Sequence, residues 1–147
     1  MTDLDKKIWE KALLFLKFRP HSRKELKTKL AAHFAEATDA IDQTLDEMGR
    51  VQLINDRRFT ELWVAFIIQK PVGRIKILVE ARRKGLDREL VEQALSDAGW
   101  DEKKSALRAL EEKKRTLHEE DSRKRKMKLA NFLRGRGFTN AIIFRIV

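Results

Sequence analysis

Apolar residues recur three and four positions apart along most of the chain, and this spacing predicts amphipathic helices. The first such segment runs from Asp5 to Arg19, and Pro20 ends it because proline disfavours the helical conformation of the residue before it. The sequence Ser22-Arg23-Lys24-Glu25 is a capping box, in which the serine and glutamate side chains accept hydrogen bonds from each other's backbone amides. It predicts a second helix, which buries Leu26 and Leu30.

A third helix is predicted to complete a unit that spans residues 1–54. Thr38 is expected to cap this helix, and Gly49 is expected to end it in the left-handed conformation. The residues expected to face inward are Ile41, Leu45 and Met48.

The same order of signals recurs in residues 55–99. Asn55 or Asp56 can cap a fourth helix, and the Pro-Val-Gly break at 71–73 separates it from a fifth. Asp87 can cap a sixth helix. The apolar positions of these helices are Phe59, Leu62, Trp63, Phe66 and Ile67, then Ile75, Leu78 and Val79, then Leu90, Val91, Ala94 and Leu95.

Residues 100–147 predict a third unit. Asp101 can cap its first helix, and the wholly polar stretch 111–116 is expected to project into solvent. Asp121 or Ser122 starts the next helix, in which a dense basic run passes into an apolar pattern. A short apolar helix ends the unit.

Internal alignment indicates a true repeat. Residues of the second unit match the third at an offset of 52: Ile77 with Leu129, Ala81 with Leu133, Gly85 with Gly137, Val91 with Ile143 and Leu95 with Val147. In the first unit, Leu26 and Leu30 are aligned with Ile75 and Val79 at an offset of 49, and Ile41 with Val91 at 50. Three helices in each unit predict an all-α stacked array. The alternative is that unrelated helices with glycine ends align by chance.

The composition fits this class and excludes several others. Apolar residues make up 42% of the 147 residues and charged residues 38%, which is typical of helices with one solvated face. The absence of cysteine excludes disulfides, a thiol nucleophile and a cysteine-based zinc site. The acidic N-terminus and the short apolar runs predict no secretory signal and no membrane-spanning segment, so we expect a cytoplasmic protein.

The net charge of +10 points to an anionic partner, either nucleic acid or an acidic protein surface. The charge is unevenly distributed, because residues 100–147 carry 14 basic and 7 acidic side chains. Most of the excess therefore lies in the third unit.

No pattern of catalytic or metal-binding residues is present. His21, His33 and His118 are far apart and form no metal-ligand spacing, and the acid pairs at 111–112 and 119–120 lie in solvent-facing runs. We therefore expect a protein that is not an enzyme and holds no metal or cofactor.

The basic residues concentrate on the second helix of each unit, and these are the candidate partner-binding residues. They are Lys24, Lys27, Arg74, Lys76, Arg82, Arg83, Lys84, Arg123, Lys124, Arg125, Lys126, Lys128, Arg134 and Arg136. The third helices of the first two units are acidic, which disfavours insertion of those helices into a DNA major groove. Contact with phosphates through the second helices is one interpretation, and a solvated face paired with neighbouring acids is the other.

Several short motifs follow one another along nearly the whole chain. They are Arg19-Pro20-His21-Ser22 with Glu25-Leu26 and Lys29-Leu30, Asn55-Asp56-Arg57-Arg58-Phe59, Gly73-Arg74-Ile75, Arg83-Lys84-Gly85-Leu86, Lys128-Leu129, Phe132-Leu133 and Arg136-Gly137-Phe138. Their order and spacing resemble the RecX family of bacterial recombinase regulators.

The resemblance implies an elongated, curved array of three tandem three-helix repeats. It also implies a negative regulator that binds the nucleoprotein filament of the RecA recombinase and inhibits its ATP hydrolysis, strand exchange and co-protease activity. We expect a monomer that contacts single- or double-stranded DNA without sequence preference. Two alternatives remain: a non-specific DNA-binding helical module that acts without a recombinase, and a structural scaffold for another protein.

Leu129→Ala is predicted to destabilise the third unit, because Leu129 lies on the apolar face of its helix. Truncation of a fully buried leucine costs about 2–5 kcal/mol, measured as the loss of unfolding free energy in urea. Charge reversal at Lys124 and Lys128 is the comparison, since it should preserve Tm and weaken partner binding. Equal destabilisation by both changes would contradict this division between core and surface.

Overall fold

The computed structural model describes all residues 1–147 and contains nine α-helices and no strand. The helices are α1 (Asp3–Phe18), α2 (Arg23–His33), α3 (Thr38–Arg50), α4 (Asp56–Ile67), α5 (Arg74–Arg83), α6 (Arg88–Asp97), α7 (Glu102–Thr116), α8 (Ser122–Gly135) and α9 (Asn140–Ile146). Helices α1–α3, α4–α6 and α7–α9 form units 1, 2 and 3, which confirms the predicted all-α fold of three tandem three-helix repeats. None of the nine helices combines the length and apolar composition needed to cross a membrane.

Most helices begin where the sequence supplies a hydrogen-bonding side chain. Ser22 Oγ accepts the Glu25 amide at 3.1 Å, and Glu25 Oε1 accepts the Ser22 amide at 3.0 Å, which confirms the capping box. Asn55 caps α4 and Asp121 caps α8, each being the first of the two predicted candidates. Arg19 has an extended backbone, as expected for the residue before a proline.

The predicted caps of α3 are wrong at both ends. Ala37 precedes the helix without a side-chain cap, and Thr38 is already helical. Gly49 lies inside α3, and the left-handed residue that follows the helix is Gln52, with φ 63°. A β-carbon at position 49 would meet nothing within 4 Å, so no contact requires glycine there.

Each unit buries its own apolar cluster and shares none of it with a neighbouring unit. The clusters are Ile8, Ala12, Leu26, Leu30, Ile41, Leu45, Met48 and Ile54 in unit 1; Phe59, Trp63, Val64, Ile67, Val72, Ile77, Ala81, Leu86, Val91, Ala94 and Leu95 in unit 2; and Ala106, Ala109, Leu110, Leu129, Leu133, Phe138 and Ile143 in unit 3. Within each unit the third helix packs against both of the others. The extensive helix contacts are therefore all made inside units.

The solvent-accessible surface is larger than that of a compact protein of this mass. It measures 9713 Å² for 17.3 kDa. A compact monomer of the same mass exposes about 7,800 Å². The excess follows from the separate cores, because units joined at narrow junctions keep most of their surface in water. The molecule is elongated, as the resemblance implied.

The structure corrects the predicted register of the repeat in α5. The buried residues of this helix are Ile77 and Ala81, whereas Ile75 and Val79 are 50% and 46% exposed, so the predicted offset of 49 is wrong. The equivalent buried pairs are Leu26 and Leu30, Ile77 and Ala81, and Leu129 and Leu133. The third helices align as predicted, with Ile41, Val91 and Ile143 at equivalent buried positions.

Helix α8 starts one turn earlier than its equivalents in the other units. Ser22 and Gly73 cap α2 and α5, and each lies four residues before the first buried residue of its helix. The equivalent residue of unit 3 is Arg125, which already lies inside α8. The added turn, residues 122–125, carries most of the basic run Arg123–Lys126. This run is therefore part of a regular helix rather than a flexible tail.

The junction between units 1 and 2 consists of polar contacts. The start of α2 meets the turn that follows α5, where Ser22 Oγ donates to the Lys84 carbonyl at 2.6 Å. The Arg23 amide also donates to Asp56 Oδ1 at 2.9 Å. Gly85 takes a φ of 74° in this turn, and its α-carbon lies directly against the Lys24 side chain.

The junction between units 2 and 3 repeats this arrangement with backbone groups. The start of α5 meets the turn that follows α8, where the Gly73 amide donates to the Arg136 carbonyl and the Ile75 amide to the Gly137 carbonyl, both at 2.9 Å. Glu102 accepts hydrogen bonds from the Arg74 amide at 2.7 Å and from the Thr139 hydroxyl at 2.9 Å. The same two structural elements therefore join each pair of units.

Gly137→Ala is predicted to destabilise the protein by at least about 1–3 kcal/mol, because φ is 84° there and the new β-carbon would lie 2.4 Å from Lys76 Cβ. Gly135→Ala is the matched control, since Gly135 is helical and its β-carbon would meet nothing within 4 Å. This control should stabilise the protein by about 0.5–1 kcal/mol. Urea unfolding measures both values, and changes of the same sign would contradict the described junction.

Candidate functional site

The basic residues of α2 are largely paired within or next to their own unit. Lys27 Nζ lies 2.9 Å from Asp42 Oδ1 on α3, and Arg23 lies 2.8 Å from Asp46 on the same helix. Lys24 Nζ reaches across the junction and donates to the Arg82 carbonyl at 3.4 Å. The predicted binding residues Lys24 and Lys27 therefore have structural partners, as the solvated-face interpretation expects.

Basic residues at the start of α5 and just after the helix have partners, but the two in its last turn form no ion pair. Arg74 forms an ion pair with Glu92 of α6, and Lys84 Nζ lies 3.4 Å from Glu25 across the junction. Lys76 packs its backbone and β-carbon against Gly137. The side chains of Arg82 and Arg83 are exposed and form no ion pair.

The basic run Arg123–Lys126 is the densest group of unpaired cations in the molecule. None of its four side chains lies within 4.0 Å of a carboxylate, and three of them are exposed. The Asp121 carboxylate accepts the Lys124 amide at 3.0 Å, so it caps α8 and also fixes where the run begins. Four adjacent cations without internal partners favour a bound anion more than the paired residues of α2 do.

The remaining basic residues of α8 have local partners. Lys128 Nζ lies 3.1 Å from Glu119, and the Arg134 guanidinium donates to the side-chain oxygens of Asn131 and Asn140. Arg136 stacks over the Phe132 ring at 4.9 Å from its centroid. These contacts involve the helix from Lys128 onwards, so the unpaired basic residues of α8 are those at its start.

Glu25 connects three parts of the first junction. Burial acts to raise its pKa, but hydrogen bonds from Arg19 and from the Ser22 amide, together with the charge of Lys84, lower the pKa of Glu25 to about 2. The carboxylate therefore caps α2, binds Arg19 just before the helix, and pairs with Lys84 of unit 2.

An apolar cleft on unit 2 was not predicted as a surface. Its volume is about 380 Å³, and it lies beside the unpaired Arg82, with Arg88 also at its edge. Ile75 and Val79 line it, although the sequence pattern had placed them in the core. Only the register of α5 in the folded unit shows that these two side chains face outward.

His21 has a structural environment. It is buried, its Nδ1 lies 2.9 Å from the Arg19 carbonyl, and its Nε2 lies 2.7 Å from Lys29 Nζ. Burial is the main cause that lowers the pKa of His21, and the nearby charges of Arg19 and Lys29 add to it. Both ring nitrogens of His21 therefore have a hydrogen-bonding partner within the chain.

Three protein-family models match the chain, one for each unit. They describe the first, second and third three-helix domains of RecX, and they match residues 9–48, 55–95 and 101–147 respectively.

Individual relatives cover most of the chain. A regulatory protein RecX from Chlorobium phaeobacteroides (strain BS1) is 40% identical over 136 residues, which are 91% of this chain and 87% of that protein. A regulatory protein RecX from Pelodictyon phaeoclathratiforme is 34% identical over 128 residues, which are 86% of this chain and 78% of that protein.

Two solved structures share the fold. The crystal structure of RecX from Lactobacillus salivarius has a TM-score of 0.81 and 24% sequence identity, over 99% of this chain and 96% of that one. A crystal structure of a regulatory protein RecX has a TM-score of 0.85 and 19% identity, over 98% of this chain and 73% of that one. At these identities the likeness concerns the fold.

Acid is predicted to destabilise the protein in part through Glu25. Its folded-state pKa of about 2 is below the ordinary value of 4.5, so the unfolded chain takes up this proton first. The contribution is therefore fully present above the ordinary value and is lost as the pH falls towards the folded-state value. Glu25→Gln should flatten this part of the pH dependence in urea unfolding. Glu111→Gln is the control, since Glu111 is exposed on α7 and unpaired, and equal curves for the two variants would contradict the assignment.

Proposed function

This chain belongs to the RecX family of regulatory proteins, and on that premise we propose that it is a negative regulator of the RecA recombinase. In this proposal it binds the RecA–DNA nucleoprotein filament in the cytoplasm and lowers ATP hydrolysis, strand exchange and co-protease activity. It acts as a monomer, without a cofactor and without catalysing a reaction of its own.

The observation that carries the proposal is the unpaired basic run at the start of α8, on a scaffold of this family. A packed helix holds the run, so its charges keep a fixed position relative to units 1 and 2. The exposed Arg82 and Arg83 add unpaired charge at the end of α5. An elongated array with unpaired cations on two successive units suits an extended anionic groove better than a compact binding site.

Inhibition then follows from occupancy. A chain that lies along the filament and contacts both recombinase and DNA stabilises one arrangement of the filament, and movements between arrangements become slower. In this proposal the slower movements lower ATP hydrolysis and strand exchange, and the occupied groove lowers co-protease activity. No catalytic group on this chain takes part.

The alternative is a non-specific DNA-binding module that acts without a recombinase. The same basic run supports it, because phosphate contacts alone give sequence-independent affinity. Strong binding to naked DNA at physiological salt, with no effect on the filament, would favour this alternative.

The deciding measurement is the DNA-dependent ATP hydrolysis of RecA on single-stranded DNA. Addition of this protein at near-saturating stoichiometry is expected to lower the hydrolysis rate severalfold. Arg123→Glu with Lys124→Glu should weaken the inhibition about tenfold or more in concentration, since both side chains lack internal partners.

The matched control reverses the same amount of charge on α7, by Lys103→Glu with Lys104→Glu, because both lysines are exposed and form no ion pair. This variant should inhibit nearly as well as the parent. Absence of inhibition by the parent protein would refute the proposed function, and equal loss in the two variants would refute the role of the basic run.

A further inference from the structure

The three units carry a basic residue at one equivalent position of their second helices. Arg23, Arg74 and Lys126 each lie three residues before the first buried residue of α2, α5 and α8. Because the units share one packing arrangement, these residues face the same side of the third helix in each unit. The partner at that side differs between units.

In units 1 and 2 the partner position on the third helix holds a carboxylate. The carboxylate belongs to Asp42 on α3 and to Glu92 on α6, and each directly follows the first buried residue of its helix. Asp42 pairs with Lys27, and its carbonyl accepts a hydrogen bond from Arg23 at 3.3 Å. Glu92 pairs with Arg74. Arg23 itself pairs with Asp46, one turn further along α3. In both units a carboxylate of the third helix therefore pairs with this basic position of the second helix.

In unit 3 the equivalent residue is Phe144, whose side chain is 76% exposed. Helix α9 contains no carboxylate, and Arg145 follows the phenylalanine directly. The basic residue at the equivalent position of α8, Lys126, is exposed and unpaired. Unit 3 therefore replaces an internal ion pair with a free cation and a free aromatic ring.

We propose that this face of unit 3, between α8 and α9, binds single-stranded nucleic acid, with Phe144 as a stacking platform for one base. Lys126 and Arg145 contact the phosphates on either side of that base. The inference deepens the proposed function, because it names the part of the basic surface that holds a single strand.

Single strands fit this face better than duplexes do. A base can stack on a side chain only if its own face is free, and in a duplex the neighbouring base pairs cover that face. The cations beside the ring then carry the phosphate contacts without any need to read base edges. A protein partner would instead need a broader apolar patch around Phe144, whereas the residues one turn away on α9 are the polar Asn140, the small Ala141 and the half-buried Val147.

Removal of the ring tests the stacking contact. Phe144→Leu should weaken binding to a labelled oligothymidylate about tenfold, measured by fluorescence anisotropy at fixed salt. Binding to a duplex of the same length should stay unchanged. Phe18→Leu is the matched control, because Phe18 is 85% exposed but lies at the end of α1 in unit 1, away from the face between α8 and α9.

Salt dependence separates stacking from charge. Phe144→Leu should leave the slope of log affinity against log salt unchanged, since the ring neutralises no phosphate. Lys126→Gln should reduce the magnitude of that slope by about 0.7 on a single strand. Because both side chains are exposed, thermal melting of the two variants should match the parent.

Phe144→Trp provides a direct signal of contact. The three existing tryptophans, Trp9, Trp63 and Trp100, are buried or half-buried, so the new indole is the exposed one. Its fluorescence should be quenched by oligothymidylate or oligouridylate and not by duplex. Competition between the two oligonucleotides identifies which strand, DNA or RNA, is the preferred ligand.

Two results would overturn the inference: no quenching of the new tryptophan, or equal effects of Phe144→Leu on single strands and duplex. Failure of the proposed function is distinguishable from both. A parent protein that inhibits the recombinase while Phe144→Leu binds oligonucleotide normally refutes only this inference. A parent protein that fails to inhibit, although Phe144→Leu loses oligonucleotide affinity, refutes only the proposed function.

Discussion

The structure depends on hydrogen bonds between the start of one second helix and the turn after the next second helix. These bonds, from Ser22 to Lys84 and from Gly73 to Arg136, take the place of an apolar interface between units. Because polar junctions bury little apolar surface, each unit needs its own core, and the chain spreads into an elongated array. The same junctions fix the spacing between successive basic helices, so the distance between charged surfaces is a property of the fold.

The capacity of a basic residue to bind phosphate depends on whether a carboxylate within the protein already pairs with it, so the number of basic residues alone says little about binding. Units 1 and 2 carry cations on their second helices, but carboxylates on α3 and α6 face them. The cations that are paired in this way contribute little to the affinity for phosphate, whereas Arg82 and Arg83 of unit 2 form no ion pair. Helix α9 of unit 3 has no carboxylate, and the basic run Arg123–Lys126 forms no ion pair. The net charge of the whole chain therefore does not show that the densest unpaired charge lies in unit 3.

Local signals allowed the helices and most caps to be predicted, because a capping box such as Ser22 with Glu25 acts within four residues. The face of α5 could not be predicted, since Ile75 and Val79 are as apolar as Ile77 and Ala81, and only packing against α6 selects between them. Gly49 was wrongly predicted to end its helix, because glycine is also tolerated inside a helix at moderate cost. Ion pairs such as Glu25 with Lys84 join residues far apart in sequence, and no local spacing encodes them. The basic run could be located from the sequence, but its lack of carboxylate partners could not.

The added first turn of α8 bears on how an array of this kind can grow. In units 1 and 2 the residue that caps the second helix also docks onto the following unit, and its counterpart Arg125 is enclosed within α8. A duplicated unit placed after unit 3 would find no free helix start on which to dock. Growth of the array by tandem duplication would therefore require loss of residues 122–125 as well as gain of a new unit. The turn that carries most of the basic run therefore also removes the helix start that a further unit would need for docking.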